Sequence, residues 1–338
     1  RIFTAVDPDV WVISEVWGHS AEEVRDRVEE FLPSGSGESW SAVKRDAGNV
    51  VVSRLPILDS WEIFPGNRLT GVLLDLRPTH DSDLLVVANH WSCCTNDARR
   101  QEQADALIAF LRDAREPGGA IELTPDTPIV AAGDFNLVGW RRQLETLITG
   151  DIADNGTWGP DAAPDWDGSD FDDANPRHPD ARFAYTWRND WGSFYPGKLD
   201  WWLYTGSVAT LEKTFVVETR TMTAQTLAQY GLQADDTELG SDHAPVVGDM
   251  VPSTTVGVAT PGGGQGAVAD GPRMLPARPN PFRSSTIIAF ELAEPAVVTV
   301  AIYDTAGRRI RSLIPTRSLG RGSHLLEWNG LDDAGVRV

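Results

Sequence analysis

The sequence predicts a mixed α/β domain, then a linker, and then a small all-β domain. In the first part of the chain, apolar runs of strand length alternate with segments of helical spacing. A stretch rich in Gly, Pro, Thr and Ala follows, and beyond it only strand-like runs and turn signals remain. This order is typical of a two-domain chain. We therefore predict domains at residues 1–251 and 273–338, joined by a linker at 252–272.

The helices are predicted from capping signals and apolar spacing. The chain opens on the end of a helix that leads into an apolar run at 10–17. Ser20 and Glu23 form a capping box, and apolar residues at helical spacing follow them. Asp97 is predicted to cap a second long helix, which ends before the Pro-Gly-Gly sequence at 117–119.

Strands are predicted where apolar residues cluster between turn signals. In the first domain, after the run at 10–17, they are 49–57, 69–78, 84–91, 128–135, 199–205 and 243–250. In the C-terminal domain they are 287–293, 297–304 and 324–330. The segment 150–183 is rich in Asp, Gly and Pro and is predicted to be a loop.

Composition excludes several classes of protein. The chain of 338 residues carries 29 Lys and Arg against 49 Asp and Glu, a net charge of −20. That charge argues against binding nucleic acid through a positive field alone, although a bound metal can invert the local charge. No apolar run reaches the ~18 residues of a membrane span. The cysteines, Cys93 and Cys94, are too few for a disulfide-rich scaffold; reduced thiols or a vicinal disulfide are both possible for them.

Seven polar residues stand where predicted strands end or begin. They are Glu15, His90, Asp134, Asn136, Asp200, Asp242 and His243. The end of one strand and the start of its antiparallel neighbour lie at the same edge of a sheet, so these side chains can converge on one rim. Four carboxylates without a matching number of cations repel one another unless a hard cation lies among them. Carboxylate and amide oxygens suit Mg²⁺, Mn²⁺ or Ca²⁺.

The motifs around these residues carry a resemblance to a known family. They are DPDV and ISEV at 7–16, NHW at 89–91, GDFN at 133–136, KLDWW at 198–202 and SDHAPV at 241–246. In this order they resemble the endonuclease/exonuclease/phosphatase superfamily, over about residues 1–252. The resemblance implies a four-layer αββα sandwich and a metal-dependent phosphodiester hydrolase. The family's first strand, which ends in Asn, is missing before Arg1, so we expect the sheet and the metal site to be incomplete.

The resemblance also implies a role for each site residue. Glu15 and Asp242 match metal-binding residues, and Asp134 and Asn136 match the pair that handles water and phosphate. Asp200 matches the residue that orients the terminal His243. His90 matches a histidine of the deoxyribonuclease I and sphingomyelinase branches. Either the Asp200–His243 pair or Asp134 could be the general base, and the sequence leaves this open.

The C-terminal domain carries a second resemblance. PNPF at 279–282, WNG at 328–330 and DDAG at 332–335 resemble the FlgD-type immunoglobulin-like domain and the sorting domains of type IX secretion. The last strand of that pattern is missing. The resemblance implies an immunoglobulin-like sandwich that engages the secretion machinery, and a secreted or cell-surface bacterial protein. We expect a monomer.

Three functions remain open from the sequence. The first is a nuclease-like hydrolase, and the second is a sphingomyelinase-type phospholipase or phosphatase with the same chemistry. The third is an inert surface-binding or adhesion protein, which the joint presence of the site residues disfavours. No hydrophobic lipid-gripping hairpin stands out in the sequence, so the substrate, a nucleic acid or a phospholipid head group, is undecided.

Weaker features have ordinary structural interpretations. Arg99 and Arg100 either face a substrate phosphate or form the solvated first turn of a helix. The acidic segment 165–173 is interpreted as a solvated loop rather than a calcium site. Four tryptophans are interpreted as core or rim packing, with stacking on a base or gripping lipid as the less favoured alternative: Trp187, Trp191, Trp201 and Trp202.

Overall fold

The computed structural model describes residues 1–35, 38–77, 79–253, 273–274, 277, 286–292, 295–303, 309–332 and 337. The chain forms two compact units, Arg1–Gly257 and Val258–Val338. The predicted linker at 252–272 lies, apart from its first two residues, outside the described residues. None of the helices that the structure describes combines the length and apolar character of a membrane-spanning segment.

The first unit is a mixed α/β structure, as predicted. Its strands are β1 (Val10–Ile13), β2 (Ser41–Val43), β3 (Val50–Ser53), β4 (Ile57–Glu62), β5 (Leu69–Asp75), β6 (Asp83–His90), β7 (Ile129–Asp134), β8 (Asp172–Asp173), β9 (Asp200–Tyr204), β10 (Ala209–Val216) and β11 (Val246–Pro252). Its helices are α1 (Ile2–Val6), α2 (Ala21–Phe31), α3 (Asp97–Arg115), α4 (Arg141–Thr149), α5 (Asn155–Trp158), α6 (Ala224–Tyr230) and α7 (Asp236–Gly240), with a 3₁₀ turn at Thr219–Thr221.

A six-stranded sheet in the order β4-β5-β6-β7-β9-β8 forms the centre of this unit. Strand β6 pairs parallel with β7, and β7 pairs antiparallel with β9. A three-stranded sheet β1-β3-β2 and the pair β10-β11 complete the strands. Several separate sheets in one α/β unit agree with the predicted fold class.

Three hydrophobic clusters show how the sheets and helices of the first unit are layered. On β6, Leu85 and Val87 pack toward α3 and α4, whereas Val86 and Ala88 face the β1-β3-β2 sheet. This alternation is the two-residue period of a strand that is covered on both faces. A third cluster lies between the outer face of β1-β3-β2 and α2. The order from α2 through two sheets to α3 and α4 matches the αββα sandwich that the resemblance implies.

The structure corrects several predicted elements. Residues 49–57 hold β3 and the start of β4, which turns away after the Leu-Pro sequence. The segment 150–183 contains α5 and β8 as well as loop. Asp97 is the first residue of α3 rather than its cap, because Asn96 holds the N-cap position. The carboxylate of Asp97 instead accepts a hydrogen bond from Arg100.

In the second unit, every described element of secondary structure is a strand. They are β12 (Arg273–Met274), β13 (Thr286–Leu292), β14 (Ala296–Tyr303), β15 (Arg309–Leu319) and β16 (Gly322–Trp328). They pair as β12-β13-β16 and β14-β15, with Phe290, Leu292 and Ile314 buried between them. Strand β15 was not predicted, because its arginines, serines and proline hide the apolar alternation. The immunoglobulin-like topology stays a prediction, and the motifs PNPF and DDAG lie wholly or mostly outside the described residues.

Candidate active site

The sheet register brings three predicted site residues to one edge. In the parallel pairing of β6 and β7, His90 stands opposite Asp134. In the antiparallel pairing of β7 and β9, Asp134 stands opposite Asp200. The last residues of β6 and β7 therefore meet the first residue of β9. The prediction that these strand ends share a rim is correct.

His243 reaches this edge from the loop before β11. Its Nδ1 lies 2.8 Å from Oδ2 of Asp200. Thr186 fixes both sides of the pair, since its hydroxyl accepts the amide hydrogens of Leu199 and Asp200, and its carbonyl accepts that of Ala244. Asp134, Asp200 and His243 each place one ligand atom within 4.8 Å of the others.

Asn136 supports the carboxylate of Asp134. Its backbone, at a φ of 49°, turns sharply after β7. The Asn136 amide donates to Oδ1 of Asp134 at 2.8 Å, and its Nδ2 donates to Oδ2 at 2.6 Å. The side chain of Asn136 is thereby committed to orienting Asp134.

Glu15 and Asp242 lie at the margin of the cluster. Oε1 of Glu15, which follows β1 at a φ of 62°, is 3.5 Å from Nε2 of His90. Asp242 is exposed, and its Oδ2 accepts the indole hydrogen of Trp187 at 3.0 Å. Neither belongs to the three-residue cluster in the described chain. Their assignment as metal ligands stays a prediction.

Burial and neighbouring charges shift the pKa values of two residues in the cluster away from their ordinary values. Burial, reinforced by the charge of Asp200, raises the pKa of Asp134 from 3.8 to about 7. Burial works against the protonated form of His243, but the hydrogen bond and charge of Asp200 outweigh it and raise the pKa to about 9. The carboxylates thus hold excess negative charge that a proton or another cation must offset.

Residues 1–243 match the sequence profile described as the Endonuclease/Exonuclease/phosphatase family. The chain belongs to this family. Members of the endonuclease/exonuclease/phosphatase family are hydrolases that act on phosphodiester bonds, and they typically use divalent metals. Among curated proteins, none matches the chain in sequence.

Several solved structures resemble the chain. TDP2 from D. rerio, complexed with a single-strand DNA product, is 15% identical with a TM-score of 0.43, over 72% of this chain and 86% of that one. A family protein from Leptotrichia buccalis is 11% identical with a TM-score of 0.46, covering 74% and 90%. The human Nocturnin catalytic domain with bound sulfate is 14% identical with a TM-score of 0.43, covering 73% and 82%.

The donor set fits the divalent ion that this family uses. Two carboxylates and an imidazole converge, and the raised pKa of buried Asp134 is what a site built around a positive charge shows without that charge. Among the described residues, the carboxylates of Asp134 and Asp200, beside His243, could hold a divalent cation, since hard ions accept oxygen ligands.

His90 is a buried, neutral histidine beside the cluster. Burial first, and the charge of Arg68 second, lower its pKa from 6.5 to about 4. Its Nε2 is 3.9 Å from Oδ2 of Asp134, and its Nδ1 is buried without a hydrogen-bond partner among the described residues. A neutral imidazole can donate one hydrogen bond toward the cluster without adding charge.

The two site histidines are expected to titrate at opposite ends of the pH range. In EDTA, the ring protons of His90 should shift below pH 5 and those of His243 near pH 9, as followed by NMR. Because the fold lowers the pKa of His90, the contribution of this group to the free energy of unfolding increases as pH rises from about 4 to 6.5. His243 stabilises the fold below pH 6.5, and that contribution is lost through about pH 9. Titration of both rings near pH 6.5 would contradict the geometry.

Arg68 is a site residue that the sequence did not reveal. It stands just before β5 at a φ of 56°, and its guanidinium donates to the carbonyls of His90 at 2.8 Å and Trp91 at 3.1 Å. Within the described chain it has no carboxylate partner. Arg68 therefore holds the end of β6 in place and supplies an uncompensated positive charge beside His90.

Replacing Arg68 by Gln should lower the turnover of a phosphodiester about tenfold by loosening the position of His90. The same change should raise the pKa of His90, because it removes a positive charge. Arg68→Lys keeps the charge and should keep the low pKa while losing the paired carbonyl contacts. Arg45→Gln, which changes an arginine bound to Ser60, is the matched control. An unshifted His90 titration in Arg68→Gln would refute this assignment.

Other residues singled out in the sequence have structural roles. Arg100 is fully buried and donates to the carbonyls of Ser92 and Cys94, so it cannot face a substrate. Arg99 is exposed and pairs with Glu102. The interpretation of the acidic segment 165–173 as solvated is wrong for Asp165, which is buried and accepts hydrogen bonds from Ser207.

The vicinal cysteines follow β6 in an exposed loop. Cys93 and Cys94 are both free thiols, and Cys94 has a φ of 65°. The hydrogen bond from its neighbour, followed by burial, raises the pKa of the Cys93 thiol. The thiol form is thereby favoured over a reactive thiolate.

Proposed function

We propose that this chain hydrolyses phosphodiesters with the help of a divalent metal ion. The observation that carries the proposal is the convergence of Asp134, Asp200 and His243 within 4.8 Å, in a chain of the endonuclease/exonuclease/phosphatase family. A divalent ion at this cluster would neutralise the anionic phosphoryl oxygens and stabilise the charge that develops on phosphorus.

The protein's own groups then divide the proton chemistry. Asp200 holds the ring of His243 through Nδ1, which leaves Nε2 for a water molecule or an oxygen of the substrate. Asp134 has a pKa of about 7, so it can accept or release a proton near neutral pH. We assign His243, oriented by Asp200, as the general base, with Asp134 as the rival. The charge of a bound cation would lower the pKa of His243 from about 9 and so free its Nε2 to accept a proton. His90 donates to the phosphoryl or leaving oxygen.

The substrate follows from the chemistry only as far as a phosphodiester. The first candidate is a nucleic acid, and the alternative is a phospholipid head group or a soluble phosphoester. The intact Asp200–His243 hydrogen bond weighs against an inert adhesion protein, since binding alone needs no oriented histidine.

The C-terminal unit supports a location outside the cytoplasm. The motifs PNPF, WNG and DDAG resemble sorting domains of type IX secretion. We infer a secreted or cell-surface bacterial protein that meets the secretion machinery through this unit and acts as a monomer. In the bacterial host, the double variant Trp328→Ala and Asn329→Ala should stay inside the cell. Unchanged export of this variant would refute the sorting role of the unit, and a parent chain that stays in the cytoplasm would refute the location.

A substrate panel tests the proposed activity. Hydrolysis of bis-p-nitrophenyl phosphate, plasmid DNA and sphingomyelin would be followed with Mg²⁺ and with EDTA. Turnover of at least one diester that EDTA abolishes is the expected result. A folded chain that binds Mg²⁺ and turns over none of these substrates, nor a broader set of phosphoesters, would favour the inert binding protein.

A further inference from the structure

A loop beside the site exposes three aromatic side chains. Residues 191–196 (WGSFYP), here the aromatic loop, are all exposed. Trp191 is 91% exposed, Phe194 78% and Tyr195 93%. The interpretation of Trp191 as core or rim packing is therefore wrong. Aromatic side chains carry a large apolar surface that soluble proteins rarely leave together in water.

The stems of the aromatic loop are bonded to the candidate active site. Trp187, before the loop, bridges both Gly197 and His243 as antiparallel partners. The amide of Arg188 donates to the carbonyl of Asp242 at 2.8 Å. The chain after the loop runs directly into Asp200. Whatever the aromatic loop binds is thus held next to the Asp200–His243 pair.

Ion pairs hold the base of the loop in place. Arg188 donates to both carboxylate oxygens of Asp190, at 2.7 Å each. Arg220 lies 3.9 Å from Asp190 and is itself paired with the fully buried Glu218. These ion pairs fix the chain up to Asp190 and neutralise the charges of Arg188 and Arg220. The aromatic tip is presented on an anchored stem rather than folded back onto the core.

Exposed hydrophobic residues also lie close in sequence to other site residues. Trp17 follows Glu15, Trp140 follows Asn136, and Leu239 precedes His243; they are 48%, 55% and 73% exposed. Exposed apolar side chains therefore lie close in sequence to residues of a polar, acidic centre. Such a distribution fits binding to a lipid surface, which is apolar beneath and carries phosphodiesters at its boundary with water.

Charge decides between a lipid surface and a polyanion. Residues 191–196 carry no charge, and the nearest cations, Arg188 and Lys198, are paired with Asp190 and Asp173. A chain with a net charge of −20 is repelled by nucleic acid unless free cations line its path. Exposed Trp, Tyr and Phe are the residues that lie at the boundary between lipid head groups and acyl chains.

We propose that the aromatic loop docks the chain on a lipid–water interface of zwitterionic head groups, where the site meets the phosphodiester of a phospholipid head group, the alternative substrate named above, rather than a nucleic acid. Binding to the lipid surface does not depend on the proposed hydrolase activity; only the reaction that follows binding rests on the proposed function. Phosphatidylcholine supplies both the apolar boundary and a head group without net charge.

Co-sedimentation of the full chain with phosphatidylcholine vesicles tests the docking surface. The triple variant Trp191→Ser, Phe194→Ser and Tyr195→Ser should lower the vesicle partition coefficient about tenfold or more, because each ring loses a large apolar contact. The matched control replaces three exposed hydrophobic residues on other elements, Phe31, Leu58 and Tyr230, by Ser and should change it less than twofold. Thermal unfolding confirms that both variants fold.

The remaining outcomes separate the docking surface from the enzyme. His243→Ala should bind vesicles like the parent chain while losing bis-p-nitrophenyl phosphate hydrolysis. Vesicle binding without hydrolysis in the parent would sink the proposed function alone, and hydrolysis without vesicle binding would sink the docking surface alone. Equal partition of parent and triple variant also overturns it. So does loop-dependent binding of a dT20 oligonucleotide, or a loop-dependent dimer in gel filtration, without vesicle binding.

Discussion

Replacing His243 by Ala should lower phosphodiester hydrolysis by about 10³-fold, within the range expected for loss of a general acid–base group. The ring is held by Asp200 at 2.8 Å and lies within the cluster that would also hold the metal, so the change removes the proposed proton carrier and leaves Asp200 without its partner. Initial rates with bis-p-nitrophenyl phosphate at saturating Mg²⁺ measure the effect.

His80→Ala is the matched control for this loss. His80 lies in the turn between β5 and β6, at the opposite end of β6 from His90. Its replacement should leave the rate within twofold of the parent. A loss below threefold in His243→Ala, with the fold intact, would remove His243 from the mechanism.

Replacing Asp134 by Asn should abolish turnover and yet stabilise the metal-free protein. The fold raises the pKa of Asp134 from 3.8 to about 7, so the folded chain binds more protons than the unfolded chain between these values. Stability therefore falls as pH rises from about 4 to 7. Asn carries no charge, and its Oδ1 can still accept the backbone amide hydrogen of Asn136, but its Nδ2 loses the second hydrogen bond, from the Asn136 side chain, which offsets part of the gain.

Thermal unfolding in EDTA measures this effect. At pH 8 the Asp134→Asn variant should be more stable by on the order of 2 kcal/mol, and the gain should shrink toward pH 4. Added Mg²⁺ should stabilise the parent and leave the variant unchanged. A variant less stable than the parent at pH 8 would show that the ionised carboxylate of Asp134 does not destabilise the fold.

The convergence of the candidate site residues could be predicted from the sequence because the ends of the central strands are marked by clear apolar runs. The apolar runs before His90 and Asp134 and after Asp200 have clear boundaries, and sheet geometry then places these residues together. His243 followed from its motif. The pairing partner of each strand was not available from the runs themselves, so only the structure shows that Asp134 stands between His90 and Asp200.

Features that depend on side-chain direction escaped the sequence. Arg68 looks like any surface arginine until its guanidinium is found on the carbonyls of His90 and Trp91. Trp191 and Trp202 share a residue type, yet one is exposed and the other packs between two sheets. Helix α4 has no side-chain cap, and β10 is interrupted by Glu and Lys, so neither carried a strong local signal.

The central claim is that Asp134, Asp200 and His243 form a metal-dependent phosphodiesterase centre. It is tested most directly by the hydrolysis of bis-p-nitrophenyl phosphate after dialysis against EDTA, followed by titration with Mg²⁺ or Mn²⁺. We predict no turnover without metal, saturable recovery in the parent chain, and no recovery in Asp200→Asn or His243→Ala. Turnover that survives EDTA, or recovery to the parent rate in both variants, would contradict this account.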